Sequence, residues 1–146
     1  MKILKSTMKD LPEVERLNGK YFHEVRDFKK IIEGKDDYFY VGKNDNEVVG
    51  FSGFHVFHWN NTARIIDIFI HPSSRREGNA TKFLKKIKDE ARKLGIRTIV
   101  AEAPSLNPVL SFYLKNGFRI CGFNDRYYSN DSREMAIFLS FDIISK

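Results

Sequence analysis

The chain has 146 residues, which is enough for one packed domain and excludes two. Apolar residues make up 42% of it and aromatic residues 14%, which is typical of a globular protein and excludes an intrinsically disordered one. The net charge of +6 admits either a nucleic acid or a small polyanion as a partner, and charge alone does not decide between them.

The first elements along the chain are predicted to be two helices. Thr7 and Asp10 form a capping box, and the apolar residues that follow at helical spacing predict a helix that Gly19 ends. A second helix is predicted over residues 22–33. Its buried face would consist of Phe22, Val25, Phe28 and Ile32.

Strands come next. Residues 38–41 and 48–57, which a polar turn separates, predict an antiparallel hairpin. The nearly continuous apolar run over residues 65–70 predicts a strand that is buried on both faces.

The apolar period then changes to that of a helix. Residues 80–94 place their apolar side chains on one helical face, Gly95 ends the helix, and residues 96–101 form a short apolar strand. A strand, a helix and a strand in this order make a crossover, so the two strands should be parallel.

The C-terminal part predicts one more helix, over residues 107–115, and a closing pair of strands. Residues 118–123 and 134–141 are the two strands of that pair, which we expect to be antiparallel. The whole chain therefore predicts a mixed α/β domain with a central sheet.

The loop before the long helix carries the first chemical signal. A buried strand leads through Arg75, Arg76 and Gly78 directly into a helix. The first N–H groups of a helix lack intrahelical partners and the helix dipole is positive there, so this end suits a phosphate or pyrophosphate. Gly78 lets the backbone approach such an anion closely. Taken alone, the pattern Arg-x-x-Gly-x-Ala is weak, because an ordinary helix start with solvated arginines also fits it.

A second segment follows after one more helix and strand. Residues 107–118 contain Asn…Phe-Tyr-x-x-x-Gly-Phe. Together with Arg75, Gly78 and Ala80, this segment resembles the GNAT superfamily of N-acetyltransferases, and the order of elements is similar along nearly the whole chain. The resemblance implies the GNAT fold as a single domain over residues 1–146. That fold is a central, mostly antiparallel sheet with a splayed parallel pair of strands, flanked by about four helices.

The resemblance also implies acetyl-CoA as co-substrate, without a metal. In the family the pantetheine arm lies between the splayed strands like an added strand, and the N–H groups of residues 76–81 would hold the pyrophosphate. The implied cofactor-binding residues are Ile68, Phe69, Ile70, Arg75, Arg76, Glu77, Gly78, Asn79, Ala80, Thr81, Asn107, Phe112, Tyr113 and Lys115.

Three residues are candidates for the chemistry itself. Tyr113 matches the family position that often protonates the departing thiolate. The acceptor ammonium must lose a proton before it attacks, and Glu102 or Asp67 could take that proton. Asp67 lies in an apolar run, where a carboxylate is rare unless it is paired or functional. Proton removal by ordered water, without a dedicated residue, stays open.

Cysteine and histidine add no further chemistry. The single cysteine, Cys121, cannot form an internal disulfide, which favours a reducing, cytoplasmic setting, and we interpret it as an inert thiol of the core. His55 and His58 lie three apart in a predicted strand and face opposite sides, so we expect no metal site. No apolar run is long enough to span a membrane and no secretory leader is present, so we expect no membrane partner.

The acceptor is the least defined part of this prediction. In the family the turn that holds residues 125–128 borders the acceptor site. The C-terminal part is loosely similar to streptothricin-type acetyltransferases, and an Arg-x-x-Tyr-like element is similar to ribosomal-protein and protein N-terminal acetyltransferases. We expect a primary amine of a small molecule, with a peptide N-terminus or lysine as the alternative, and leave a homodimer open.

Two other classes of function compete with this one. A non-catalytic acyl-CoA sensor would not need Tyr113 or a candidate base. A small nucleic-acid-binding domain is disfavoured because the lysines are spread over one helix without an aromatic platform.

Overall fold

The computed structural model describes residues 1–143. Its helices and strands, in chain order, are β1 (Lys2–Lys5), α1 (Leu11–Leu17), α2 (Phe28–Glu33), β2 (Asp37–Asn44), β3 (Glu47–Phe57), β4 (Thr62–Ile70), α3 (Asn79–Lys93), β5 (Thr98–Pro104), α4 (Val109–Lys115), β6 (Arg119–Asn124) and β7 (Ala136–Asp142). None of the helices in this part of the chain is both long and apolar enough to cross a membrane.

The strands form one seven-stranded sheet in the order β1-β2-β3-β4-β5-β7-β6. Neighbouring strands run antiparallel except β4 and β5, which are parallel, as the predicted crossover requires. The predicted mixed α/β fold with a mostly antiparallel sheet is therefore confirmed. The sequence did not predict β1, because its four residues are largely exposed and show no apolar period.

The parallel pair is splayed. β4 and β5 pair over three residues of each strand, from Thr62 and Thr98 to Arg64 and Val100, and no later pairing between them occurs in residues 1–143. A bulge bends β4 just beyond this point. Ile65 pairs with Phe54 and Ile68 with Ser52, so β4 has one more residue than β3 over the same stretch. The predicted burial of β4 on both faces is therefore wrong in its middle. Residues 66–68 are partly exposed there because β4 borders a gap.

Two apolar cores lie on opposite faces of the sheet. The first, under α1 and α2, contains Val14, Leu17, Phe28, Phe39, Val41, Val48, Phe51 and Phe69. The second, under α3 and α4, includes Phe54, Phe83, Leu84, Ile87, Ile99, Tyr113 and Leu139. Among the described residues, β5, β6 and β7 contribute nothing to the first core. On this face of the sheet, α1 and α2 therefore leave these three strands uncovered.

The predicted second helix is wrong in its first half. α2 begins only at Phe28, and Val25, which the sequence pattern places on the buried face, is 95% exposed. The side-chain amide of Asn18 binds the backbone of Glu24 in both directions, at 2.9 and 3.1 Å. These bonds satisfy the backbone N–H and carbonyl groups of Glu24, so the loop is stable without forming a helix. Gly19 does not end the first helix either, because the chain continues through a π-helical turn, Asn18–Phe22.

Candidate active site

A cavity of about 560 Å³ lies beside the unpaired half of β4. Its walls are that strand, the loop that leads into α3, and the start of α4. The lining residues are Phe22, Ile68, Phe69, Ile70, Ser74, Arg75, Arg76, Gly78, Asn79, Ala80, Thr81, Pro108, Val109 and Phe112. The structure thus brings most of the predicted cofactor-binding residues around one cavity, although they come from three separate segments.

The loop before α3 places the start of that helix at this cavity. Gly78 has a φ of +77° and Arg76 a φ of +61°, two left-handed residues that turn the chain sharply into the helix. No side chain of the described residues caps the first turn of α3. A Cβ added at Gly78 would meet no described atom within 4 Å, so the space above this turn is open. These features suit a bound anion.

Two polar side chains of the loop bind the protein itself. Asn79 is buried, and its Nδ2 donates to the Ser74 carbonyl oxygen at 2.8 Å. Arg75 Nε donates to the Ile70 carbonyl oxygen at 2.9 Å. These bonds fix the shape of the loop, so an anion in the cavity would meet backbone N–H groups and the exposed Arg76.

Four predicted cofactor residues do not line the cavity. Asn107 is exposed, and its Oδ1 accepts a hydrogen bond from the Val109 N–H at 2.9 Å at the start of α4. Glu77 and Lys115 are exposed on the surface near the loop and at the end of α4. Tyr113 is buried beside Phe112, with the two ring centroids 5.5 Å apart. The implied contacts of these residues with a cofactor stay predictions.

Tyr113 lies in a nearly water-free position. Its side chain is 4% exposed, and its ring packs on Phe118 with the centroids 5.0 Å apart. Burial raises the pKa of Tyr113 well above its usual value, and the negative charges of Asp67 and Glu102 raise it further. The hydroxyl therefore keeps its proton, as a proton donor must.

Asp67 is held by an arginine from the loop before α2. Arg26 Nε lies 2.9 Å from Oδ2 and Nη2 lies 3.3 Å from Oδ1, so both carboxylate oxygens are bound. The Asp67 side chain is 7% exposed. Burial raises its pKa to about 6 even though the Arg26 hydrogen bonds act in the opposite direction. Arg26 is the partner that an aspartate in an apolar strand needs, and it lies 41 residues away in the sequence.

Glu102 lies on β5, across the gap from Asp67, and is bound on one oxygen only. Arg64 Nη2 donates to Oε1 at 3.1 Å, and the Tyr127 hydroxyl lies 3.4 Å from the same atom. Oε2 is buried and has no hydrogen-bond partner among the described residues. A buried carboxylate oxygen without a donor is costly, which suits a site where a ligand supplies the donor.

The partners of these carboxylates carry no signal in the sequence. Arg26, Arg64 and Tyr127 reach them from 25 to 41 residues away, so no local spacing marks them. Phe22 lines the cavity beside β4, whereas the sequence pattern places it on a helix face. The alternation of side chains along β4 does place Arg64 on the same face of the sheet as Thr62, which indicates the face toward which Arg64 points.

The interpretation of Cys121 as a core thiol is wrong. It is exposed on β6, where its Sγ accepts a hydrogen bond from the Ser140 hydroxyl at 3.2 Å. β6 is an edge strand whose neighbouring Ile120 is 55% exposed, so apolar neighbours did not indicate burial. His55 and His58 bind Asp37 and Asp36. No group of three or more His, Cys, Asp or Glu within residues 1–143 is placed to hold a metal ion.

Comparison with known proteins gives one family and a consistent fold. A family profile described as the acetyltransferase (GNAT) family matches residues 5–118. The ribosomal-protein-S18-alanine N-acetyltransferase of Escherichia coli is 21% identical, with a TM-score of 0.86 over 99% of this chain and 95% of that one.

Two further solved structures were determined with a bound cofactor. A proposed streptothricin acetyltransferase of Bacillus anthracis, in complex with acetyl coenzyme A, is 27% identical, with a TM-score of 0.75 over 84% of this chain and 71% of that one. An aminoglycoside 6'-N-acetyltransferase complexed with coenzyme A is 16% identical, with a TM-score of 0.82 over 100% and 99% of the two chains.

The titration of Asp67 should make folding stability depend on pH. Its pKa is about 6 in the folded protein against a usual 3.8, so the folded state binds this proton more tightly. The stabilisation that the folded state gains from this tighter proton binding is complete below pH 3.8 and is lost as the pH rises through 6. Asp67→Asn cannot titrate. Its free energy of unfolding relative to wild type should therefore rise by on the order of 2 kcal/mol between about pH 4 and about pH 7, measured by urea denaturation.

Asp125→Asn, in an exposed turn, is the matched control and should show no such gain. A difference between Asp67→Asn and wild type that is the same at both pH values would contradict the assignment.

Proposed function

Because this chain belongs to the acetyltransferase (GNAT) family, we propose that it transfers the acetyl group of acetyl-CoA to the primary amine of a small molecule. The observation that carries the proposal is the cavity beside β4, which combines an unpaired strand edge with an uncapped helix start. The pantetheine arm of acetyl-CoA can bind the unpaired strand edge as an added strand would, and its pyrophosphate suits the uncapped helix start. The family uses acetyl-CoA, and the Bacillus anthracis structure contains it.

The residues around the cavity fit this co-substrate. The backbone of Ile68 and Ile70 borders the gap, the first turn of α3 offers N–H groups, and the apolar ring of Phe112 forms the opposite wall. Acetyl-CoA would supply a thioester, whose carbonyl carbon an amine can attack once the amine is neutral. The protein's own task is to bind the two substrates and to move two protons.

Glu102 is the residue we assign to proton removal from the acceptor. Its side chain is about a quarter exposed, and Oε2 has no donor among the described residues, so a small movement of the carboxylate would offer this oxygen to an ammonium group in the gap. Arg64 and Tyr127 hold the other oxygen and fix the orientation of the carboxylate. A carboxylate held in this way can accept the proton directly or through one water molecule.

Asp67 is the second candidate for the base. Its pKa of about 6 is closer to neutral pH than that of an ordinary aspartate, which favours a base. Both of its oxygens are bound by Arg26, however, so an acceptor would have to displace an ion pair. We therefore assign Asp67 to positioning the strand and the loop before α2.

Tyr113 is the residue we assign to protonation of the departing sulfur. Its raised pKa keeps the phenol protonated at every pH at which the enzyme would work. Tyr113 directly follows Phe112 on α4, and Phe112 lines the cavity beside β4. A proton donor there makes the thiolate a better leaving group.

Gly78→Trp should abolish cofactor binding. Acetyl-CoA at about one hundred times its dissociation constant should stabilise the wild-type protein by about 2.7 kcal/mol, seen as a rise in melting temperature. A tryptophan at residue 78 would fill the open space above the first turn of α3. The rise in melting temperature should then disappear.

Gly95→Trp is the matched control for this variant. Gly95 follows the other end of α3 and also has a left-handed φ (+72°), and a Cβ added there would likewise meet no described atom within 4 Å. Its variant should keep the full rise. If Gly78→Trp keeps it as well, acetyl-CoA binds elsewhere.

Tyr113→Phe keeps the ring and removes the proton. Turnover should fall by roughly 10² to 10⁴, while the rise in melting temperature with acetyl-CoA stays. Amine-dependent release of free thiol from acetyl-CoA measures turnover, and a single-turnover experiment excludes masking by product release. Tyr40→Phe, at a tyrosine that is also 4% exposed but lies on β2, should keep the wild-type rate.

An unchanged single-turnover rate in Tyr113→Phe would remove Tyr113 from the mechanism. If the wild-type protein binds acetyl-CoA but releases no thiol with any amine, the sensor function becomes the better account.

Glu102→Gln separates the two candidate bases. In the wild-type protein kcat/KM should rise with pH as the base or the amine loses its proton. Glu102→Gln keeps the shape of the side chain, and its rate should fall by roughly 10² to 10⁴. Its profile of kcat/KM against pH should also lose the rising acidic limb, the part that reports ionisation of the base. Asp67→Asn should keep that limb. The melting temperature of each variant shows first that it is folded.

The opposite result, with the limb lost in Asp67→Asn and kept in Glu102→Gln, would make Asp67 the base. If both variants fold and keep wild-type rates across the pH range, ordered water removes the proton, or the amine binds already neutral.

A further inference from the structure

The uncovered face of the sheet holds a second, larger cavity of about 830 Å³. Its floor consists of alternate residues of β4, β5 and β7, which share one face of the sheet: Thr62, Arg64, Thr98, Val100, Ser140 and Asp142. Arg64 also lines the smaller cavity of about 330 Å³ that contains Glu102. The two cavities adjoin at the Arg64 side chain, which lines both, and we call them together the acceptor groove. It leads from Glu102 along the sheet to the start of β5.

The charges in the acceptor groove are unevenly distributed. Arg64 binds Glu102 at the inner end, at 3.1 Å. At the outer end Arg119 lies 3.4 Å from Asp142, a loose pair in which both side chains are about half exposed. Arg97 lines the same end, and no Asp or Glu of residues 1–143 lies within 4.0 Å of its guanidinium, whose Nε donates to the Asn60 carbonyl oxygen. The outer end therefore carries positive charge that the described carboxylates do not balance.

The two ends of the groove are separated by a defined length. Glu102 and Thr98 are four residues apart on β5, which corresponds to about 13 Å at ~3.3 Å per strand residue. Trp59 lines the outer part and is 84% exposed, so an apolar side chain is available there beside the arginines. A molecule lying in the groove with its amine at Glu102 would place its far end beside Arg97 and Arg119.

We propose that the acceptor is an amine that carries a carboxylate at its opposite end, about 13 Å from the amine. This inference rests on the proposed function and adds the class of acceptor. Arg97 and Arg119 would bind the carboxylate by charge-assisted hydrogen bonds. A polyamine or another polycation would place like charges against these arginines and is disfavoured in this groove.

Three matched acceptors test the proposal. They are a straight-chain ω-amino acid of that length, its neutral primary amide, and the diamine of equal length. We expect kcat/KM to fall in this order, with roughly a tenfold difference between the acid and the amide. If the amide or the diamine is used as well as the acid, the acceptor class is wrong and the acetyltransferase function stands.

Arg97→Gln should remove the preference for the acid over the amide, and Arg119→Gln should reduce it. Arg92→Gln, at an exposed arginine of α3 outside both cavities, is the control and should keep the preference. A preference that survives in both Arg97→Gln and Arg119→Gln, with each variant folded by its melting temperature, would overturn the proposal.

Binding can also be followed without turnover. Cys121 is the one cysteine of the sequence, is exposed, and lines a cavity with Arg64 and Glu102. The acid should slow alkylation of this thiol at roughly tenfold lower concentration than the amide does, and Arg97→Gln should abolish the difference. Equal protection by the acid and the amide would overturn the inference even if no acceptor is acetylated. Absence of acetylation of all three acceptors, with the acid still protecting Cys121 better, would count against the proposed function alone.

Discussion

The separation of β4 from β5 is the constraint on which the candidate site depends. The strands pair over three residues and then diverge at the bulge in β4, which leaves polar backbone groups facing a gap inside the molecule. Such groups need partners, and a strand-like ligand is one way to supply them. The same divergence sets Asp67 and Glu102 on opposite sides of the gap and lets the start of α3 reach its edge. The cavity beside β4 and the candidate base thus arise from one interruption of the sheet.

The two carboxylates at the gap are stabilised differently, and this difference supports the roles proposed for them. Asp67 is bound on both oxygens, and the arginine that holds it also fixes an irregular loop to the sheet. Glu102 is bound on one oxygen and leaves the other buried and free of described partners. Burial of an incompletely paired charge is unfavourable for folding. A binding or catalytic site is where a protein tolerates that cost, since a substrate can complete the pairing.

Local patterns predicted the fold better than they predicted the site. The helical face of α3, the strand–helix–strand order and the motifs around Gly78 and Tyr113 are short-range features, and the structure confirms the elements that contain them. β1 lacks such a pattern because it is exposed at the edge of the sheet. Residues 23–27 do carry a helical pattern, but the bonds of the Asn18 side chain to the Glu24 backbone hold them in a loop instead. Arg26, Arg64 and Tyr127 meet the carboxylates only through tertiary packing, so their roles had no counterpart in sequence spacing. An apolar edge strand has the same local pattern as a core strand, which is why the sequence misplaces Cys121.

The connection of β5 to its neighbours has a consequence for the order in which the protein assembles on the ribosome. β5, which carries Glu102, pairs with β4 over three residues but with β7 along its whole length, from Thr98 to Pro104. β7 leaves the exit tunnel after all the other described strands, and domains generally fold as their segments emerge. A nascent chain that already contains the loop around Gly78 and α3 therefore still lacks a firmly held Glu102. The cavity beside β4 can form during synthesis, whereas the surroundings of Glu102 must wait for β7.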